Sequence, residues 1–112
     1  MKKYSSWIIS NAVWELVNLG LESNISDNMM LETFYNCREQ GFVSLDYLTK
    51  TVIWVYAHRN SDKPTVIISN MGHRDMGNMY DEEAWNTAQS FDTIDEAARY
   101  IIKKLEEIYH GN

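Results

Sequence analysis

Three histidines, His58, His73 and His110, and a single cysteine, Cys37, are the side chains of this 112-residue chain best suited to metal binding or proton transfer. Imidazole changes charge near neutral pH and ligates metals through either nitrogen. His58 and His73, joined by Asp62 or Asp75, would make a metal site or an acid–base pair if the chain brought them together. Their spacing supports no such site. There is no H-E-x-x-H, no Cys-x-x-Cys and no pair of histidines four apart on a helix. Cys37 cannot form an intrachain disulfide, lies in an apolar pattern with Phe34, and gains no clear activation from Arg38 or Glu39. It reads as a small apolar filler. The sequence therefore predicts no catalytic residue, no metal, no cofactor and no enzyme.

A different kind of chemistry, recognition, is concentrated further along. Gly72-His73-Arg74-Asp75-Met76-Gly77-Asn78 is polar and flanked by glycine, as binding loops often are. It lacks the G-x-x-x-x-G-K-[ST] order of a phosphate loop. Arg74, Met76 and Tyr80 are of types enriched at protein interfaces, and Trp85, directly after three acids, would make an anchor. The expected partner-binding set is His73, Arg74, Asp75, Met76, Tyr80, Asp81, Glu82, Glu83 and Trp85. Asp81-Glu82-Glu83, followed by Asp92, Asp95 and Glu96, could also imitate a row of phosphates and block a DNA-handling enzyme.

Charge narrows the partners. Net charge is −6, and from Asp81 onward eight acids face only Arg99, Lys103 and Lys104. Such a balance disfavours nucleic acid, whose binding depends on neutralising phosphates, and anionic membrane surfaces for the same reason. A protein with a basic surface is the compatible partner. No run approaches the roughly 18 apolar residues that span a bilayer. Lys2 and Lys3 begin like a secretory signal, but Ser5, Ser6, Ser10, Asn11 and Glu15 interrupt the apolar block that should follow. A cytoplasmic location is expected.

These residues need a scaffold, and the pattern supplies one. Thr51-Val52-Ile53-Trp54-Val55-Tyr56-Ala57 and Thr65-Val66-Ile67-Ile68 are β-branched and aromatic runs separated by a polar loop ending at Pro64, which predicts a hairpin. Both faces of the first run are apolar, so it should be central and covered on two sides, or buried against a second subunit. Trp7 to Leu19 reads as a helix capped by Ser5 or Ser6 and stopped by Gly20. Its apolar positions cover more than one stripe, which suits burial on two sides or in a homodimer. A second helix is expected from a cap at Ser26 or Asp27 through Gln40, with Met30, Leu31, Phe34, Tyr35 and Cys37 inward and Gly41 as its stop. Ser44 to Lys50 reads as one or two helical turns or as an extension of the first strand. Asn70 to Tyr80 reads as a long loop, and Ala84 to Ser90 as a weak third strand. Thr93 and Glu96 form a capping box ahead of Ile94, Ala97, Ala98, Ile101, Leu105 and Ile108, whose three- and four-residue steps predict an amphipathic helix.

The expected fold is thus one α+β domain over residues 1–112. It has two N-terminal helices, a central antiparallel β-hairpin or three-stranded sheet, and a C-terminal amphipathic helix packed on the sheet. The expected function is that of a small acidic protein-interaction module, an inhibitor or immunity factor of bacterial, phage or mobile-element origin. The alternatives are the nucleic-acid mimic and a winged-helix-like DNA-binding regulator. In the latter, Ser44–Lys50 would be the recognition segment, with only Lys50, Arg59 and Lys63 to meet phosphates.

Overall fold

A computed structural model describes residues 6–27, 31–37, 41–46, 51–57, 61–70 and 87–110. The chain is α+β. Helix α1 (Ser6–Gly20) and a single turn, α2 (Ser23–Ser26), precede strands β1 (Leu31–Cys37), β2 (Gly41–Asp46), β3 (Thr51–Ala57), β4 (Pro64–Asn70) and β5 (Gln89–Ser90). Helix α3 (Ile94–His110) follows. The five strands lie in sequence order, each antiparallel to the next.

The hairpin forms as expected, with Trp54 opposite Ile67, Val55 opposite Val66 and Ala57 opposite Pro64. Pro64 opens its strand, where a missing N–H is tolerated. Its carbonyl accepts a 2.9 Å hydrogen bond from the Phe91 amide, which fastens the entry to α3 onto the sheet.

The second expected helix is where the sequence reading fails. Residues 31–37 are strand β1, paired from Leu31 opposite Asp46 to Cys37 opposite Gly41, with a bulge between Tyr35 and Cys37. Apolar residues at Leu31, Phe34, Tyr35 and Cys37 fit a helical stripe, yet Thr33, Phe34 and Tyr35 are strand formers. Pairing with β2 decides between the two, because a neighbouring strand supplies backbone hydrogen-bond partners that local sequence does not reveal. Gly41, expected as a helix stop, instead begins β2, and Ser44 to Asp46 belong to that strand. Among the described residues the central sheet is accordingly five strands wide, larger than the hairpin or three-stranded sheet expected, with β3 third in order.

All seven residues of β3 are buried. Alternation divides them between two faces. Ile53 and Val55, with Val66 of β4, join Val13, Val17, Ile101 and Leu105 in one cluster, so both long helices lie on that face. Val52, Trp54 and Tyr56 point the other way and are also buried, Trp54 to 2% exposure. The two-sided burial expected of this strand is met within one chain.

The long helices run in the same direction. Gly20 ends α1 against Ile102 of α3, where an added Cβ would lie 2.5 Å from the isoleucine Cδ1. One step on, Glu22 reaches His110 at the far end of α3, 3.8 Å away and exposed. Ile25 of α2 is 1% exposed and closes the cluster at this end.

Ser6 fastens the other end. It is the first residue of α1, and its Oγ accepts a 2.8 Å hydrogen bond from the buried Ala57 amide at the end of β3. The hydroxyl expected to cap the helix therefore serves the sheet. Ser6→Ala would leave that amide without a partner, and a loss of about 1–3 kcal/mol in urea-unfolding stability is expected.

Helix α3 starts at the expected Thr93–Glu96 pair, though the Glu96 carboxylate meets the Thr93 hydroxyl and not a free amide. The Thr93 Oγ1 accepts a 3.1 Å bond from the Glu96 amide and donates to the Glu96 carboxylate at the same distance. Ala97, Ala98, Ile101 and Leu105 are buried, but Ile108 at the end of the expected stripe is 38% exposed, and Tyr109 beside it packs against the core instead.

Hydroxyls cross the sheet on its second face. Tyr56 is hydrogen-bonded to Thr65 opposite it, and Thr65 Oγ1 lies 2.8 Å from Ser90 Oγ on the next strand. Burial pushes the Tyr56 hydroxyl above its ordinary value of 10.0, and the Thr65 bond draws it partly back. The folded chain then holds this proton at a pH where the unfolded chain has released it. Below the ordinary value the tyrosine's contribution to stability is fully present; as pH climbs through the folded-state value it is lost. Urea midpoints taken from about pH 8 to 11 should fall more steeply for the wild type than for Tyr56→Phe, with a difference no larger than about 1.4 kcal/mol per pH unit.

Candidate functional site

A groove of 540 Å³ opens between the first half of α1, the approach to β4 and the start of α3. Its apolar floor is Ile9, Ala12 and Leu16 from α1 with Ile94 from α3. The helical period places the first three there, on the flank of α1 next to Val13 and Val17. Ile9 is 2% exposed, whereas Ala12, Leu16 and Ile94 are half-buried and offer surface to an occupant.

The rim is acidic. Glu15 projects from α1, Asp62 precedes β4, and Asp92 and Asp95 flank the Thr93 cap. All four carboxylates are exposed. Lys63 lies 3.4 Å from Asp92, an exposed pair that offsets one charge without closing the groove. Asp95 in the first turn of α3 also complements that helix's dipole. The capping box thus does two things at once: it starts the helix and turns the connection so that Asp92 and Asp95 face α1.

Chemically the groove offers carboxylates around apolar carbon. Among the described residues its lining holds no histidine, cysteine, serine or lysine. Among the described residues no three His, Cys, Asp or Glu side chains are grouped to hold a metal ion, and no helix is long and apolar enough to cross a membrane. Trp14 has a buried indole N–H without an acceptor, but it belongs to the core cluster and does not line the groove.

A second cleft, of 370 Å³, lies at the other side of α3 between Ile68, Thr87, Gln89, Tyr100 and Lys104. Its polar groups are engaged with one another. Gln89 Nε2 donates to the Tyr100 hydroxyl at 3.2 Å, Thr87 Oγ1 donates to the Ile68 carbonyl at 3.1 Å, and the Lys104 ammonium sits 5.6 Å from the Tyr100 ring centre.

The residues expected from sequence to bind a partner, His73, Arg74, Asp75, Met76, Tyr80, Asp81, Glu82, Glu83 and Trp85, lie outside the described residues, as does His58. Of the expected acidic run, Asp92 and Asp95 are described and stand on the groove rim, while Glu96 is engaged with Thr93. Glu15 and Asp62 were not anticipated as their companions. No linear signal joins positions 15, 62 and 92, because only the packing of α1 and α3 on one sheet face brings them together. No protein-family model, curated protein or solved structure matches this chain.

Proposed function

We propose that this chain is a small acidic, non-enzymatic interaction module whose partner is a protein with a basic surface. In this reading it acts in the cytoplasm as an inhibitor or immunity factor of bacterial, phage or mobile-element origin. What supports it is one observation: four exposed carboxylates, Glu15, Asp62, Asp92 and Asp95, surround an apolar floor. Apolar contact supplies the association energy of a protein interface, while rim charges select the partner and speed the encounter. Phosphate mimicry draws less support, since a ladder of carboxylates has no use for apolar carbon between its rungs. The winged-helix alternative loses its recognition helix, because Ser44 to Asp46 are paired in β2.

The test is capture with paired variants. Asp62→Lys with Asp92→Lys reverses two rim charges, and Asp27→Lys with Glu107→Lys makes the same net change elsewhere on the exposed surface. Proteins retained by wild-type bait should be lost, with affinity reduced about tenfold or more, only in the rim variant. Equal retention by both variants would remove the groove from the proposal.

A further inference from the structure

We infer that α1 seats an amphipathic, lysine- or arginine-bearing helix of another protein along an outer seam formed by Ile8, Ala12, Glu15 and Leu19. The inference rests on the interaction reading above and gives the partner its chemistry. These four positions step by four, three and four, the spacing that keeps one helix edge against another. The opposite side of α1 is spent in the core, where Val13 and Val17 are fully buried. The seam is not: Ile8 is 47% exposed and Leu19 83%, Glu15 is exposed and Ala12 half-buried. A lone exposed leucine is ordinary on a protein surface. Here Leu19 shares its row with Ile8 and Ala12, interrupted by Glu15, and Ala12 leads into the groove floor. From Ile8 to Leu19 the row spans about 16 Å, three helical turns, enough for a partner of about two heptads.

Charge selects between occupants. Glu15 stands inside the seam, and Asp62, Asp92 and Asp95 stand beside it on the groove side. A second copy of this chain would bring two such acidic sets together, a repulsive arrangement in either orientation. A cationic helix instead places a lysine or arginine against Glu15 and others toward the aspartates. Ala12, the smallest residue in the row, lets the two helix axes approach.

The probe is a synthetic two-heptad peptide with leucine at its seam positions and lysine elsewhere. Its control has the same composition but D-leucines at the centre, so that it cannot form a continuous helix. The all-L peptide should bind the wild-type protein with salt-sensitive affinity and gain helical circular dichroism on binding. Glu15→Lys and Leu19→Lys, both at exposed positions, should each weaken it by about tenfold or more while thermal unfolding stays near that of the wild type. Equal binding of the two peptides, or unchanged binding to Leu19→Lys, would overturn the helix while leaving the acidic groove in place. No binding of either peptide would overturn the helix and the basic-partner reading together. Dimerisation of the chain in sedimentation, abolished by Leu19→Lys, would replace the foreign helix with a second copy and so overturn the inference.

Discussion

Trp54→Ala is expected to remove about 3–5 kcal/mol of stability. Trp54 is 2% exposed at the centre of the middle strand, on the sheet face away from both long helices. Its ring lies 5.1 Å from that of Tyr56 at a 38° tilt, an offset contact that adds to its buried area. It also stands opposite Ile67, itself 2% exposed. Removing the indole leaves a cavity that rigid strands on either side cannot collapse to fill. Against a total of about 5–15 kcal/mol for a domain of this size, that loss is a large share of the folding free energy. Urea titration followed by far-ultraviolet circular dichroism measures it without relying on the deleted fluorophore. A loss below about 1 kcal/mol would contradict the burial of Trp54 on the second sheet face.

Ile101→Ala should cost about 2–5 kcal/mol, and Ile108→Ala less than about 1 kcal/mol. The two residues are one heptad apart on the same side of α3, with identical side chains. Ile101 is fully buried between the sheet and α1, whereas Ile108 is 38% exposed. The paired measurement therefore isolates burial from propensity, because both substitutions favour the helix equally. Equal losses from both variants would contradict the position of α3 on the sheet. Ile101→Ala should also loosen the groove, since Ile94 and Asp95 ride on the same helix; a peptide that binds the wild type should bind this variant more weakly even where it remains folded.

The parts that could be read from sequence are those decided locally. Thr93 and Glu96 stand three residues apart and make their capping contacts with each other, so the start of α3 is written in four consecutive residues. The β-branched runs on either side of Pro64 leave few alternatives to a hairpin, and two-sided apolarity marks β3 as central. The segment at residues 31–37 carries a pattern that suits helix and strand alike. Local signals such as Asp27 and Gly41 point to a helix; the pairing of Phe34 with Val43 and Thr33 with Ser44 makes it a strand. Short apolar runs are ambiguous because the competing hydrogen-bond partners are elsewhere in the chain.

By itself, then, the sequence determined the α+β class, the central hairpin, the C-terminal helix with its cap, and a net charge of −6. Each follows from neighbours within a few residues or from composition. Tertiary structure decided the fate of β1, the width of the sheet and the groove. Leu19 and Val17 are both apolar on one helix, yet packing buries Val17 completely and leaves Leu19 83% exposed. Glu15, Asp62 and Asp92 become one rim only because α1 and α3 lie together on the same side of the sheet. Backbone pairing and burial act between residues far apart in the chain, and no local pattern encodes which distant surface a side chain will meet.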